Sequence, residues 1–248
     1  MVKPTDHRSL DVACIWPWVT IGLMLLTFSG YLMQHLHPGG VAGMVGQWGC
    51  NPSLIVTGVN FPQSALPAWL GVLSATFMHS TWLHLLGNLS VLAILGIALE
   101  RVLGHRRTFL LYVATGVFGI SAMVLTLPTW DVAICGASVV AAGIWAAWLV
   151  QPRTCLAKTY PFALDSVGWQ RMVQLLFLVV VGAKVVFVAL GWFGYSVMNL
   201  ANGAGLGVFS SVGFCGHLYG AAIGAVLAGL FLACRARLQL KHREATAA

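Results

Sequence analysis

Six apolar runs dominate this chain of 248 residues, and each is long enough to cross a lipid bilayer. A transmembrane helix needs about 20 mainly apolar residues, and runs of that length exceed the strands of a transmembrane barrel. Helices also satisfy their own backbone hydrogen bonds in lipid. The sequence therefore predicts an all-α polytopic membrane protein with six transmembrane helices. The predicted spans are 13–33, 82–99, 108–127, 132–150, 172–192 and 212–234.

Charged residues are scarce, with 13 Lys+Arg and 6 Asp+Glu making up 8% of the chain. Ordinary globular domains carry about 25%, so this composition excludes a soluble enzyme, a disordered chain and a secreted disulfide scaffold. Twelve of the 13 basic residues lie before the first span, after the last or in alternate connections, and Lys184 lies inside the fifth span. Basic residues mark cytoplasmic loops. Both termini are therefore predicted to be cytoplasmic, and the positive charge requires no nucleic-acid partner.

We divide the chain into a cytoplasmic N-terminal segment (1–12), a membrane domain (13–235) and a cytoplasmic tail (236–248). The first apolar run is longer than a signal-peptide core and has no small-residue cleavage site close behind it, so we expect a retained span. The apolar piece at 68–78 is too short to cross and predicts a surface or re-entrant helix.

Polar side chains inside membrane helices are expensive and are candidates for function. His84 and Asn88 are four residues apart in the second span, so both leave one helix face. An imidazole and a carboxamide that converge in this way can donate hydrogen bonds to an oxygen that gains negative charge. A hydrogen-bonded pair that holds two helices together is the alternative.

Two further candidates lie near the outer ends of their spans. Ser138 follows Gly136 in the fourth span, and His217 lies beside a stripe of glycines in the sixth, Gly216, Gly220 and Gly224. Such a stripe favours a close helix crossing, which could bring the His217 imidazole within about 3 Å of the Ser138 hydroxyl. Singly, the serine is explained by helix packing, and the histidine by a structural or metal-ligating role.

Together the four residues form an acyl-transfer site. Ser138 is the candidate nucleophile and His217 the candidate general base, while His84 and Asn88 are the candidate oxyanion donors. Asp131 is the only acidic residue predicted on the outer side of the membrane, so no carboxylate is at hand to complete a triad. The sequence predicts a serine–histidine dyad, with no cofactor and no metal.

Over roughly residues 70–235 the chain resembles the rhomboid family of intramembrane serine proteases. The matching residues are Phe77-Met78-His79, His84-Leu85-Leu86-Gly87-Asn88, Glu100-Arg101-Val102-Leu103-Gly104-His105, Gly136-Ala137-Ser138, and His217 with Gly220 and Gly224. The resemblance implies a six-helix bundle that cleaves single-span membrane proteins near the outer membrane face, after a small residue. It also implies a cap formed by 193–211. We expect a multi-pass protein of the bacterial inner membrane whose partners are its transmembrane substrates and the lipid bilayer.

The chain departs from the family pattern at the nucleophile. Val139 stands where the family usually has glycine, and Ala142 stands where it often has an aromatic residue. A valine beside the nucleophile can crowd the oxyanion pocket or narrow substrate access. If it restricts the pocket, Val139→Gly should raise activity, whereas a fall in activity would make the valine an integral part of the site. Two alternatives stay open: an inactive rhomboid-like protein that binds membrane clients, and a transporter or haem-binding protein that uses the histidines.

Overall fold

The computed structural model describes residues 15–58, 60, 67–151 and 207–247, and these ranges are mostly helical. The predicted segment 1–12, the fifth span with Lys184 and most of the predicted cap lie outside the described residues. The helices are α1 (Trp18–Leu36), α2 (Gly40–Trp48), α3 (Pro52–Val56), α4 (Ala68–Phe77), α5 (Trp82–Leu103), α6 (His105–Thr126), α7 (Ser138–Val150) and α8 (Gly207–Ala247).

Within the described ranges, four helices are long and apolar enough to cross a membrane: α1, α5, α6 and the Cys215–Leu238 part of α8. The all-α membrane architecture expected from the sequence is therefore present. α4 matches the short helix expected at 68–78. α8 is longer than its predicted span, because the helix continues through the basic segment that follows it.

The fourth predicted span differs from the structure at its start. α7 begins at Ser138 rather than at residue 132, and its 13 residues reach only about 20 Å. The preceding chain pairs with the loop between α2 and α3, where Cys50 and Ile134 exchange two backbone hydrogen bonds of 2.9 and 2.7 Å. Apolar composition alone does not distinguish this non-helical approach from another helical turn, and Ser138 is consequently the first residue of its helix.

The start of α3 is held to this approach segment by a small polar cluster. Asn51 caps α3 by accepting from the backbone N–H groups of Ser53 and Leu54. Asp131 accepts a hydrogen bond of 2.8 Å from the Ser53 hydroxyl and one of 3.2 Å from the Asn51 amide. These two hydrogen bonds hold the pKa of the Asp131 carboxyl below its usual value.

A buried carboxylate joins the start of α1 to the end of α5. Glu100 has no exposed surface and accepts hydrogen bonds from the Val19 and Thr20 backbone N–H groups, at 3.0 and 2.7 Å. The Thr20 hydroxyl donates to the same carboxylate at 2.6 Å, and His105 contacts its other oxygen. The first N–H groups of a helix have no partners within it and carry partial positive charge. Glu100 therefore acts as a tertiary cap for α1.

Glycines bring the backbones of α7 and α8 into contact, as the stripe in the sixth span predicts. A side chain at Gly220 would collide with the Val139 carbonyl, and one at Gly224 would collide with the backbone of Gly143. Small residues permit such close helix packing in membranes. The contact fixes the register of α8 against α7, and thereby the height of His217 relative to Ser138.

Candidate active site

Three of the four candidate residues line one cavity. The cavity has a volume of about 440 Å³, and Ser138, His217 and His84 all contribute to its wall. These residues come from α7, α8 and α5, and each is partly exposed. The cavity is thus a place where a nucleophile, a base and a hydrogen-bond donor can meet one substrate.

The turn before Ser138 depends on a glycine for two reasons. Gly136 has φ +119°, a backbone conformation that other residues rarely adopt. A Cβ on Gly136 would also lie only 2.6 Å from His84 Nε2. The missing side chain therefore lets the His84 ring lie directly against the backbone of the nucleophile turn.

The start of α7 adds a backbone feature that the side-chain chemistry of the sequence does not predict. Ala137, the residue before this helix, provides no side-chain cap for the first turn. The first N–H groups of a helix lack intrahelical partners and favour negative charge nearby. Because Ser138 is the first residue of α7, its own backbone N–H is an oxyanion donor candidate beside its hydroxyl. The non-helical approach over 132–137 is the feature responsible.

His84 is oriented by the residues just before it. Thr81 caps α5 by accepting from the His84 backbone N–H at 3.2 Å, which fixes the first turn of the helix. The Ser80 hydroxyl lies 3.4 Å from His84 Nδ1. If that hydroxyl donates, Nε2 carries the ring proton, and this is the nitrogen nearest Gly136.

Asn88 lies deeper than its three companions. It is 6% exposed, it is not among the residues that line the cavity, and its Nδ2 lies 2.9 Å from His79 Nε2. His79 itself is fully buried, and its ring centroid lies 5.0 Å from that of His84. The expected face shared by residues 84 and 88 is present, but the carboxamide reaches the site through a contact with His79.

Val139 packs away from the nucleophile in spite of its position. It is 4% exposed, and its two methyl groups occupy space that glycines on two neighbouring helices leave open. A Cβ at Gly119 of α6 would lie 2.5 Å from Val139 Cγ1, and one at Gly216 of α8 would lie 3.1 Å from Cγ2. The valine forms part of the cavity wall while its methyl groups fill this pair of gaps.

One thiol lines the cavity and is not cross-linked. Cys135 lines the cavity, and both Cys135 and Cys215 are free. Burial raises the pKa of the Cys135 thiol to about 11, so it stays protonated and poorly nucleophilic at neutral pH. Among the described residues no three His, Cys, Asp or Glu side chains are placed to hold a metal ion.

The apolar helices, long enough to span a membrane, define an integral membrane protein, and a serine, two histidines and a helix N-terminus lie around one of its cavities. The family model of the rhomboid domain matches residues 67–234, which is most of the chain and includes all four candidate residues. The chain therefore belongs to the rhomboid family, a family of intramembrane proteases that act on transmembrane substrates. No curated protein matches the chain significantly.

Proposed function

We propose that this protein is an active serine protease that hydrolyses a peptide bond of transmembrane substrates at the cavity beside Ser138. The observation that carries the proposal is the convergence of Ser138, His217 and His84 on one cavity of about 440 Å³. Membership of the rhomboid family supports this function over a transporter or a haem protein.

The reaction is assigned to the four predicted residues. Ser138 attacks the scissile carbonyl carbon while His217 accepts the hydroxyl proton, which forms a tetrahedral oxyanion. His217 returns that proton to the leaving amine, and the peptide C–N bond breaks to give an acyl-enzyme. Water, deprotonated by His217, then releases the acid and restores the Ser138 hydroxyl.

The oxyanion is held by donors on both sides of the nucleophile turn. His84 Nε2 lies against Gly136 and can donate from that side, and the Ser138 backbone N–H can donate from the start of α7. Asn88 completes the set once substrate opens a path to its amide. Removing one such donor costs about 100- to 1,000-fold in kcat, so His84→Ala and Asn88→Ala are expected to lower kcat on that scale with little change in KM.

A fluorophosphonate probe tests the activated serine directly. The purified protein should be labelled, whereas Ser138→Ala and His217→Ala should not. Ser90→Ala is the matched control, because Ser90 is an exposed serine of α5 whose hydroxyl only bonds the Leu86 carbonyl. Labelling that survives in Ser138→Ala refutes the nucleophile. An unlabelled wild type with an intact fold supports the inactive, client-binding alternative.

A further inference from the structure

A buried histidine outside the assigned reaction joins three parts of the site. His79 has no exposed surface, although histidine is ordinarily only partly buried. It precedes α5, and it contacts α1, α5 and the turn before α7 through three different polar partners. Two of these partners contact the imidazole and the third contacts the backbone. A buried polar network of this kind is costly unless its members are satisfied.

The backbone of His79 is clamped by the outer part of α1. The Gln34 carboxamide donates to the His79 carbonyl at 2.9 Å and accepts from the His79 N–H at 2.9 Å. Gln34 is itself fully buried. Two hydrogen bonds between buried groups fix both the position and the rotation of this peptide, so the imidazole projects from a rigid base.

The ring nitrogen Nε2 accepts hydrogen bonds from two groups of the site. The backbone N–H of Ala137, the residue before Ser138, points at Nε2 from 3.3 Å, and Asn88 Nδ2 lies 2.9 Å from it. A backbone N–H can only donate, so the Ala137 contact makes Nε2 the lone-pair nitrogen and leaves the proton on Nδ1, which is buried without a hydrogen-bond partner among the described residues. Because Nε2 accepts, Asn88 must direct its amide N–H₂ group, and not its oxygen, at Nε2. The second hydrogen of that N–H₂ group can then donate to a substrate oxygen.

We propose that His79 is a positioning residue whose Nε2 lone pair fixes the turn before Ser138 and sets the Asn88 amide as a donor. This role rests on the proposed protease function, because it places the nucleophile and an oxyanion donor relative to each other. His79 does not touch substrate. It acts through its contacts with Ala137 and Asn88. Gln34 in turn holds the His79 backbone to α1.

The surroundings of the ring keep it neutral, as this role requires. Burial, followed by the neighbouring charge of His84, lowers the pKa of His79 to about 4, while the Phe77 backbone carbonyl acts in the opposite direction. Of the other titratable groups on the elements around it, Tyr31 of α1 has its ring centroid 6.5 Å from that of His79, and His35 of α1 lies behind Tyr31, with 4.9 Å between those two centroids. Cys135 lies in the approach to α7, and Glu100 and Arg101 lie at the far end of α5. No carboxylate among these neighbours would stabilise a charged imidazole.

Two amide substitutions separate the role of Nε2 from simple filling of space. A glutamine side chain can place its amide oxygen where Nε2 stands, whereas an asparagine reaches only the position of Nδ1. We expect His79→Gln to keep kcat within about threefold of wild type, and His79→Asn to lose about 10- to 100-fold, less than the loss of a donor that touches the oxyanion. KM should be unchanged in both, because positioning of this kind acts in the transition state.

A second readout keeps the test independent of activity. Nitrogen NMR of ¹⁵N-histidine-labelled wild type, assigned by comparison with His79→Gln, should show a neutral ring protonated at Nδ1. Protonation at Nε2, or full kcat in His79→Asn at wild-type thermal stability, overturns the proposal. If the wild type does not react with a fluorophosphonate, the protease assignment fails. The NMR spectrum still tests the hydrogen bonds of His79 in that case, because they require the proton on Nδ1.

Discussion

Val139 Cγ1 lies where a side chain at Gly119 would have to be: a Cβ on that glycine would come within 2.5 Å of it. The valine that departs from the family pattern is therefore matched by a gap in α6, and by a second gap at Gly216 in α8. Its methyl groups hold the first turn of α7 between two helices. This packing favours a supporting role over the crowding of the oxyanion pocket that the sequence led us to expect.

Shortening Val139 should therefore cost stability and gain no activity. Val139→Ala removes two buried methyl groups, and a loss of about 2 kcal/mol in the free energy of unfolding is expected from comparable core truncations. Val139→Gly should cost more, because it also frees the backbone next to Ser138. Thermal unfolding and cleavage of a rhomboid substrate are the measurements. A Val139→Gly enzyme that is faster than wild type would restore the crowding interpretation.

The contact between Val139 and Gly119 of α6 can be tested by enlarging the glycine and shortening the valine. Gly119→Ala alone should destabilise the protein, because the added methyl group collides with Val139 Cγ1. In the double variant Gly119→Ala with Val139→Ala, part of that loss should be recovered, so the two effects are not additive. Additive losses in the double-mutant cycle would mean that the two residues do not share this space.

Much of the helical framework follows from apolar run length and charge placement, but the inner geometry of the site does not. Spacing alone correctly places His84 and Asn88 on one helix. It does not reveal that the Asn88 amide contacts His79 Nε2, because this contact depends on the position of the turn before α7, whose Ala137 N–H reaches the same ring nitrogen. The start of α7 was predicted six residues early, since Val132 and Ile134 are as apolar in an extended chain as in a helix. Gly136 was the available signal, because glycine often marks a backbone that leaves the helical region.

Gly136→Ala should abolish activity. The new methyl group would require a strained φ and would meet the His84 ring, so either the turn or the imidazole must move. We expect a loss of at least about 100-fold in kcat, comparable to removal of an oxyanion donor. Gly87→Ala is the matched control: Gly87 lies on the exposed face of α5, and nothing lies within 4 Å of its would-be Cβ. Cleavage at the wild-type rate by Gly136→Ala would show that the turn tolerates a side chain.

Glu100→Gln should weaken the attachment of α1 to the bundle. The neutral amide retains one acceptor oxygen, but it loses the negative charge that faces the α1 N-terminus and places an N–H₂ group among donors. A loss of about 1–3 kcal/mol in the free energy of unfolding is expected for a buried charged acceptor. Glu244→Gln, an exposed substitution in the distal part of α8, is the control and should leave the melting temperature unchanged. An equal melting temperature for Glu100→Gln and wild type would contradict the capping role.

Acid should destabilise the folded protein through His79. Its pKa is lowered from 6.5 to about 4, so below pH 6.5 the unfolded chain takes up a proton that the folded protein excludes. The stabilising contribution is complete above pH 6.5 and is lost progressively as the pH falls towards 4.

Melting temperatures between pH 7.5 and 4.5 should therefore fall more steeply for wild type than for His79→Gln, which cannot titrate at this position. The cause is burial of the imidazole, followed by the neighbouring charge of His84. Protonation of Nε2 would also turn it into a donor facing the Ala137 N–H and the Asn88 amide. Parallel curves for the two proteins would place the acid sensitivity at another group, with His84 the first to examine because its ring lies 5.0 Å from that of His79.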